Sequence, residues 1–314
     1  MTNDRFGIRW GLAGGTTLAS IDEARNAARF AEEAGFDSFW ISHAMAVDPI
    51  VALACLGSDF AGIGEVGTSV VPLYGRHPIG LAQLARTAQN ALGGRFTLGV
   101  GTASKRHVEG MLGLSWDKPF SYTREFIAAL EPLLADEQAD ADGAQVSAHA
   151  KLAIEAAPTP ILLAALGPRM LRFAGGRLAG VTLGQCGPRT ISSYILPHLR
   201  AGAEGAGRDS APRIMALVRI CVTDDFAGAK ALAREISAQY QSNPSYANAT
   251  KHEGLDDASD LHLIGNWQQV LDGLAEYAEA GATDFRIEVA AHDESSRERT
   301  RDALAHIIHD RDQL

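Results

Sequence analysis

The chain has 314 residues, 46% of them hydrophobic and 21% charged, with a formal net charge of −10. That length suits two average domains or one α/β barrel, and the apolar fraction suits a large core. The acidic balance argues against general nucleic-acid binding, and no apolar run approaches the roughly 18 residues of a membrane helix. The stretch MTNDRFGIRW lacks a charged leader followed by an apolar run, so no secretory signal is expected. Cys55, Cys186 and Cys221 form no C-x-x-C pair, which fits a reduced, cytoplasmic setting without a metal site.

In chain order, strand-like runs alternate with helical patterns. FGIRWGL (6–12), FDSFWIS (36–42), VGTSVVPL (66–73) and RFTLGVG (95–101) begin about 30 residues apart, the length of one βα unit. PILLAAL (160–166), GVTLGQ (180–185), RIMALVRICVT (213–223) and DFRIEVA (284–290) follow. Between them, residues 20–34 read as a helix with Ser20 as N-cap and Gly35 as stop, and residues 78–92 as one opened by Pro78 and closed by Gly93-Gly94. Eight strands alternating with helices predict a single (β/α)8 TIM barrel of the α/β class over residues 1–314. Two stretches interrupt the rhythm. Residues 136–158, after strand 4, read as a hairpin or lid, and residues 240–265, after strand 7, as a loop or short-helix insertion. A doubly wound two-domain enzyme is the structural alternative, but no linker separates two halves.

Charge distribution adds a functional expectation. Residues 66–108 and 156–203 contain no Asp or Glu, although even scatter of the 38 acids would put roughly 11 there. The same windows keep Arg76, Arg86, Arg95, Lys105, Arg106, Arg169, Arg172, Arg177, Arg189 and Arg200, which predicts an anion-binding region at the strand ends of that half of the barrel. Buried strands, which need no acids, explain part of the pattern. The Gly99-Val100-Gly101 run does not complete a dinucleotide fingerprint, because Ser104 stands where the third glycine belongs.

Three stretches resemble the bacterial-luciferase-like superfamily, and within it the coenzyme F420-dependent oxidoreductases. They are GTSVVPLYGRHPIGLAQLARTAQNALGGRFTLGVG (67–101), HVEGMLGLSWDKPFSYTREFIAALEPLL (107–134) and ILLAALGPRMLRFAGGRLAGVTLGQCGPRTI (161–191). AEEAGFDSFWIS (31–42) and RICVTDD (219–225) also fit, so the resemblance covers nearly the whole chain. It implies coenzyme F420 as cofactor, with FMN as the alternative, a small-molecule substrate, and a homodimer with no nucleic-acid or membrane partner.

The resemblance also implies a site. Ser69–Val70 matches a non-prolyl cis peptide that backs one face of the deazaflavin ring. Gly101, Thr102, Ala103 and Ser104 match the turn that contacts the cofactor's polar chain. Ala165, Leu166, Gly167, Pro168 and Arg169, together with Gly184, Gln185, Cys186 and Gly187, match the turns that receive its phosphate, because small residues let backbone N–H groups approach an oxyanion. Gly11 and Ser42 border the same cofactor, and His107, beside Lys105 and Arg106, is placed for phosphate or tail contact. His43 matches the position near the reactive ring edge and is the candidate for proton supply. Sugar-phosphate-oxidising relatives carry an Asp-His pair there, whereas this chain has Ser42-His43-Ala44-Met45, a departure that argues against sugar-phosphate oxidation.

Other candidates carry bland readings. His77 before Pro78 reads as a helix-entry residue, and Trp10, Tyr74, Trp116 and Tyr246 read as packing or as pocket lining. His306 and His309 lack a third ligand, and Ser104 lacks triad partners. The function expected is hydride transfer between the deazaflavin C5 and a small organic substrate. Its rivals are an FMN-dependent monooxygenase using oxygen and a cofactor-binding protein without turnover. An aldolase or isomerase barrel would want a strand-end Lys or Glu, and none of the eight runs ends in either.

Overall fold

The computed structural model describes residues 6–310 apart from Ser58 and Ser242, so the first five residues of MTNDRFGIRW lie outside the described residues. Eight parallel strands close on themselves. They are β1 (Arg9–Gly15), β2 (Ser38–Ile41), β3 (Glu65–Thr68), β4 (Phe96–Gly101), β5 (Ile161–Ala164), β6 (Gly180–Leu183), β7 (Arg213–Val222) and β8 (Asp284–Val289). Each pairs with its neighbours in the chain, and β8 pairs with β1 through Trp10 opposite Phe285, which closes the (β/α)8 barrel. The expected strand 66–73 is interrupted after Thr68: the Ser69–Val70 peptide bond is cis, and Val71–Pro72 then pairs alongside β4.

The helices form where the punctuation predicts them. Helix α1 (Ile21–Glu33) starts where Ser20 Oγ accepts from the Glu23 amide at 3.2 Å, and buries Ala24, Ala28 and Ala31. It stops at Gly35, whose φ of +78° suits glycine. Helix α2 (Pro49–Cys55) is capped by Asp48, and α3 (Pro78–Ala91) by His77, whose Nδ1 accepts from the Ile79 amide at 3.3 Å. The His77 Nε2 meets the Ser147 carbonyl at 3.1 Å, so both ring nitrogens have structural partners. Helix α4 (Pro119–Leu134) precedes a hairpin of Ala139–Asp142 and Ser147–Ala150, which packs against α3 and α4. Helices α5 (Pro168–Arg177) and α6 (Leu196–Gly205) pack on each other, and α7 (Phe226–Gln241) leads into α8 (Pro244–Glu253). The 240–265 stretch thus holds a short helix, then a 3-10 turn (Ala258–Leu261) and a strand, Leu263–Gly265, that pairs with β7. Helices α9 (Trp267–Glu279) and α10 (Glu294–Asp310) complete the ring.

One apolar core lies between strands and helices, and a second fills the barrel lumen, where Trp40, Leu162 and Met215 pack together. Trp40 needs the space that Gly11 and Gly67 leave: a Cβ on Gly67 would stand 2.4 Å from the indole ring. At the N-terminal end of the lumen sits a charged layer. Arg213 bonds Glu65 across the barrel at 2.9 Å and Asp284 beside it at 2.8 Å, while Arg9 pairs with both acids. Burial pushes the Asp284 carboxyl up, but Arg213 and Arg9 outweigh it and hold it below the usual carboxylate range. A cleft of about 470 Å³, lined by Arg9, Glu32, Asp37, Gly62, Gly64 and Glu65, opens at this end. Barrel enzymes carry their chemistry at the opposite, C-terminal end, so this cleft belongs to the stabilising face.

The structure corrects the expectation of a single anion region drawn from the acid-free windows. Arg86 is fully buried and donates to the carbonyls of Leu134 and Ile154, and Arg95 donates to those of Gly57, Phe60, Ile63 and Leu92. Arg177 pairs with Glu131 and Arg76 with Asp48. These windows keep arginines without acids partly because backbone carbonyls, or acids from other segments, serve as partners.

Candidate functional site

The mouth is built by the residues that follow each strand. Ser42 Oγ donates to the Ser69 carbonyl at 2.6 Å, and the His43 amide donates to the Val70 carbonyl at 3.2 Å, which ties the ends of β2 and β3 together. Ser69 Oγ and Thr182 Oγ1 stand 2.9 Å apart, linking β3 to β6 across the lumen. A Cβ on Gly101 would meet Val70 at 3.0 Å and Ala164 at 3.2 Å, so the ends of β3, β4 and β5 touch. A continuous wall therefore runs from His43 through Val70 to the small residues Gly101 and Ala164. Gly11 lies deeper, packed against Ser38, Trp40 and the Phe285 carbonyl, as part of the lumen filling.

The turn after β4 is fixed locally. Ala103 takes a positive φ of 57°, Thr102 Oγ1 donates to the Ala103 carbonyl at 3.3 Å, and Ser104 Oγ accepts from the His107 amide at 3.2 Å. Ser104 so opens a π-helical turn, Arg106–Met111, that carries His107. Lys105 is exposed and 3.8 Å from Glu109.

His43 is half-buried beside an ion pair that the chain's local pattern did not mark as functional: Arg76 to Asp48 at 2.8 Å. Burial, with Arg76 and His107, lowers the His43 imidazole below 6.5, and Asp48 opposes them. The ring is accordingly neutral near pH 7, able to donate from one nitrogen and accept at the other. The visible signal for the missed partner is Asp48-Pro49, a helix-start pair immediately after strand 2.

The two phosphate-type turns differ. At α5 the N-cap is Gly167, with no side-chain cap and nothing within 4 Å of where a Cβ would stand. Arg169 is exposed and stacks its guanidinium 4.2 Å above the Phe120 ring. The turn after β6 is closed. Glu253 of α8 accepts from the amides of Arg189 (3.1 Å) and Thr190 (2.8 Å) and from Thr190 Oγ1 (2.6 Å), and a Cβ on Gly187 would collide with that carboxylate at 2.3 Å. An internal carboxylate thus holds the amides just beyond the Gly184–Gly187 turn, where the resemblance implied a phosphate. Cys186 faces the core, its thiol pushed up by burial, and its carbonyl accepts from Tyr277. Gln185 has a positive φ of 53°, is 3% exposed, and has no partner on either amide atom.

On the far side, Tyr246 of α8 reaches over β6, 3.5 Å from where a Cβ on Gly184 would stand. It meets Tyr240 edge-on at 5.2 Å. Burial first, then Tyr240 and Cys186, push the Tyr246 phenol up to about 12. Arg219 of β7 is buried and bonds Glu288 at 2.8 Å and the Tyr240 hydroxyl at 3.2 Å. Arg286 of β8 is buried as well. The alternation Asp284, Arg286, Glu288 places three charges on one face of β8, the signal that marks this strand as carrying more than core. Tyr74 stacks on Tyr122 at 4.1 Å, and Trp10 is fully buried.

A family model described as "Luciferase-like monooxygenase" matches residues 8–284. The chain belongs to this luciferase-like family. It is 31% identical over 243 residues to the 5,10-methylenetetrahydromethanopterin reductase of Methanolobus tindarius, covering 76% of this chain and 73% of that one. It is 27% identical over 281 residues to the putative coenzyme F420-dependent oxidoreductase Rv3520c of Mycobacterium tuberculosis, covering 82% of this chain and 78% of that one. Among solved folds, an F420-dependent secondary alcohol dehydrogenase in complex with an F420-acetone adduct superposes with a TM-score of 0.80 at 18% identity, covering 96% and 97% of the two chains. The FMN-bound oxygenating constituent of 3,6-diketocamphane monooxygenase from Pseudomonas putida superposes at 0.75 and 19% identity, covering 96% of each chain. These relatives are oxidoreductases, and the luciferase-like chain described here shares that class. Among the described residues no helix is long and apolar enough to cross a membrane, and no group of three or more His, Cys, Asp or Glu converges on a metal.

Proposed function

We propose that the protein is an F420-dependent oxidoreductase that transfers a hydride between the cofactor's C5 and a small organic substrate. The observation that carries this reading is the continuous wall from His43 through Val70, Gly101 and Ala164 to the uncapped N-terminus of α5. A flat ring with a phosphate-bearing tail fits such a wall: small side chains let the ring lie against the backbone, and the open Gly167 turn with the α5 dipole suits an anion. Of the two phosphate-type turns, the one at Ala165–Arg169 has no side-chain cap, whereas Glu253 holds the Arg189 and Thr190 amides just beyond the other. F420 supplies the hydride chemistry, and the protein orients and polarises.

The chain's own residues do the rest. Ser42 and Ser69 lock the β2–β3 corner so that His43 stands at the ring edge. Its neutral imidazole holds a proton for the substrate atom that gains or loses one as the hydride moves. Thr102 and His107 line the turn along which the tail runs toward α5.

The purified protein is titrated with F420 and, separately, with FMN, following intrinsic fluorescence. Micromolar F420 binding, with FMN at least roughly tenfold weaker, is expected. Tight FMN binding without F420 binding would overturn the cofactor assignment and favour the oxygen-using reading of the same barrel.

A further inference from the structure

Arg286 is 7% exposed, its Nε has no hydrogen-bond partner, and among the described residues no side-chain hydrogen bond or salt bridge reaches its guanidinium. It stands two positions along β8 from Asp284, whose carboxylate joins the charged layer in the lumen, so it points inward one layer nearer the mouth. Its strand partners are Gly11 on β1 and Leu217 on β7. Among the described residues no acid forms an ion pair with it, and Glu288 acts on it only through space. Glu288 is committed to Arg219 at 2.8 Å, and Glu65 and Asp284 are committed to Arg9 and Arg213. Around the upper lumen there are two buried guanidiniums and one carboxylate, while burial keeps the Tyr246 phenol protonated at neutral pH. A cation buried without a partner is costly, and folded proteins tolerate it where a ligand completes the pair. Burial, with Arg219 adding to it, lowers the Arg286 guanidinium to about 10, while Glu288 opposes them. That still leaves it charged at neutral pH.

We propose that Arg286 anchors the substrate through a carboxylate, so that the protein acts on a small organic monoacid. The planar fork of arginine matches a carboxylate with two parallel hydrogen bonds. The single uncompensated charge matches a monoanion, since Arg219 is already taken and a phosphate dianion would lack a second free cation. Leu217 and the ring of Tyr246 offer an apolar flank for the body of such an acid, and Gln185, with its unpartnered amide beside the Gly184 turn, offers a further polar contact. In a ring of eight strands β8 lies across from β4, so the acid faces the cofactor wall of β2–β5 across the mouth. This substrate class rests on the redox reading above.

The test uses benzoate as probe and benzamide as its neutral counterpart, measured by calorimetry on the cofactor-free protein and on Arg286→Met and Arg286→Lys. Thermal unfolding and an F420 titration are run on each. Wild type is expected to bind benzoate at least tenfold more tightly than benzamide. Arg286→Met should lose that preference, unfold at a higher temperature than wild type, and keep its F420 affinity, while Arg286→Lys retains part of the preference. Equal benzoate affinity in wild type and Arg286→Met overturns the proposal, as does no benzoate binding by wild type. A destabilised or unfolded Arg286→Met also overturns it, since the guanidinium then has a structural partner. Loss of F420 binding in Arg286→Met assigns the arginine to the cofactor instead. Arg286-dependent benzoate binding in a protein that binds neither F420 nor FMN would leave the anion site standing and overturn only the redox reading.

Discussion

His43 is chemically defined by neighbours from three places in the chain. Burial disfavours its charged form, Arg76 and His107 act in the same direction, and Asp48 alone opposes them. Its folded pKa lies below the unfolded value of 6.5, so the stability linked to it is present above pH 6.5 and fades as pH falls through the folded value. We expect ring-proton NMR of the intact protein to titrate His43 below 6.5, and Asp48→Asn to move it lower still. A value at or above 6.5 in wild type would refute this account. The position of His43 at a strand end is readable from the run FDSFWIS, because it stands two residues beyond the last apolar one, Ile41. The Arg76–Asp48 pair is not, since its members come from separate βα units and meet only when β2 and β3 lie side by side.

Helix starts show where local pattern suffices and where it fails. Ser20 and Pro78 open α1 and α3 as their residue types dictate, because caps act within one turn. Gly167-Pro168 and Gly187-Pro188 look alike in the sequence, yet one turn is open and the other holds the Glu253 carboxylate, 63 residues from Thr190. Nothing local to Gly187 announces that acid, which arrives on α8. The difference gives a clean test at the open turn. Gly167 is extended, with φ −85° and ψ 146°, and has room for a Cβ, so Gly167→Asp should cap α5 and leave thermal stability unchanged or higher by a few tenths of a kcal/mol. Its carboxylate would repel an incoming phosphate, and F420 affinity should fall at least roughly tenfold. Retained affinity in a folded Gly167→Asp protein would mean that the phosphate lies elsewhere.

Across the whole molecule, the charged layer at the N-terminal end of the lumen joins β1, β3, β7 and β8 in one network. Asp284, 1% exposed, is its most buried acid, and its folded pKa lies below the ordinary 3.8. The stability it contributes is therefore present above pH 3.8 and is lost as pH falls through the lower folded value. Asp284→Asn leaves Arg213 and Arg9 short of a partner and should cost about 3–5 kcal/mol in urea unfolding at pH 7. The gap to wild type should narrow once acid protonates the native carboxyl. An unchanged midpoint at pH 7 would show that the network contributes nothing to closure of the barrel.

The alternation of apolar strands with capped helices, about every 30 residues in the first half, determines the eight βα units, because period and capping are local properties of the chain. The end of the barrel that bears the chemistry follows from the fold itself. Which charges find partners is settled only when the barrel closes. Arg86 and Arg95 are consumed by carbonyls, Glu253 holds the amides of Arg189 and Thr190, and Arg286 is left buried with its Nε unpartnered. Electrostatic pairing depends on distances of a few ångströms between segments far apart in sequence, and closure of the barrel sets those distances.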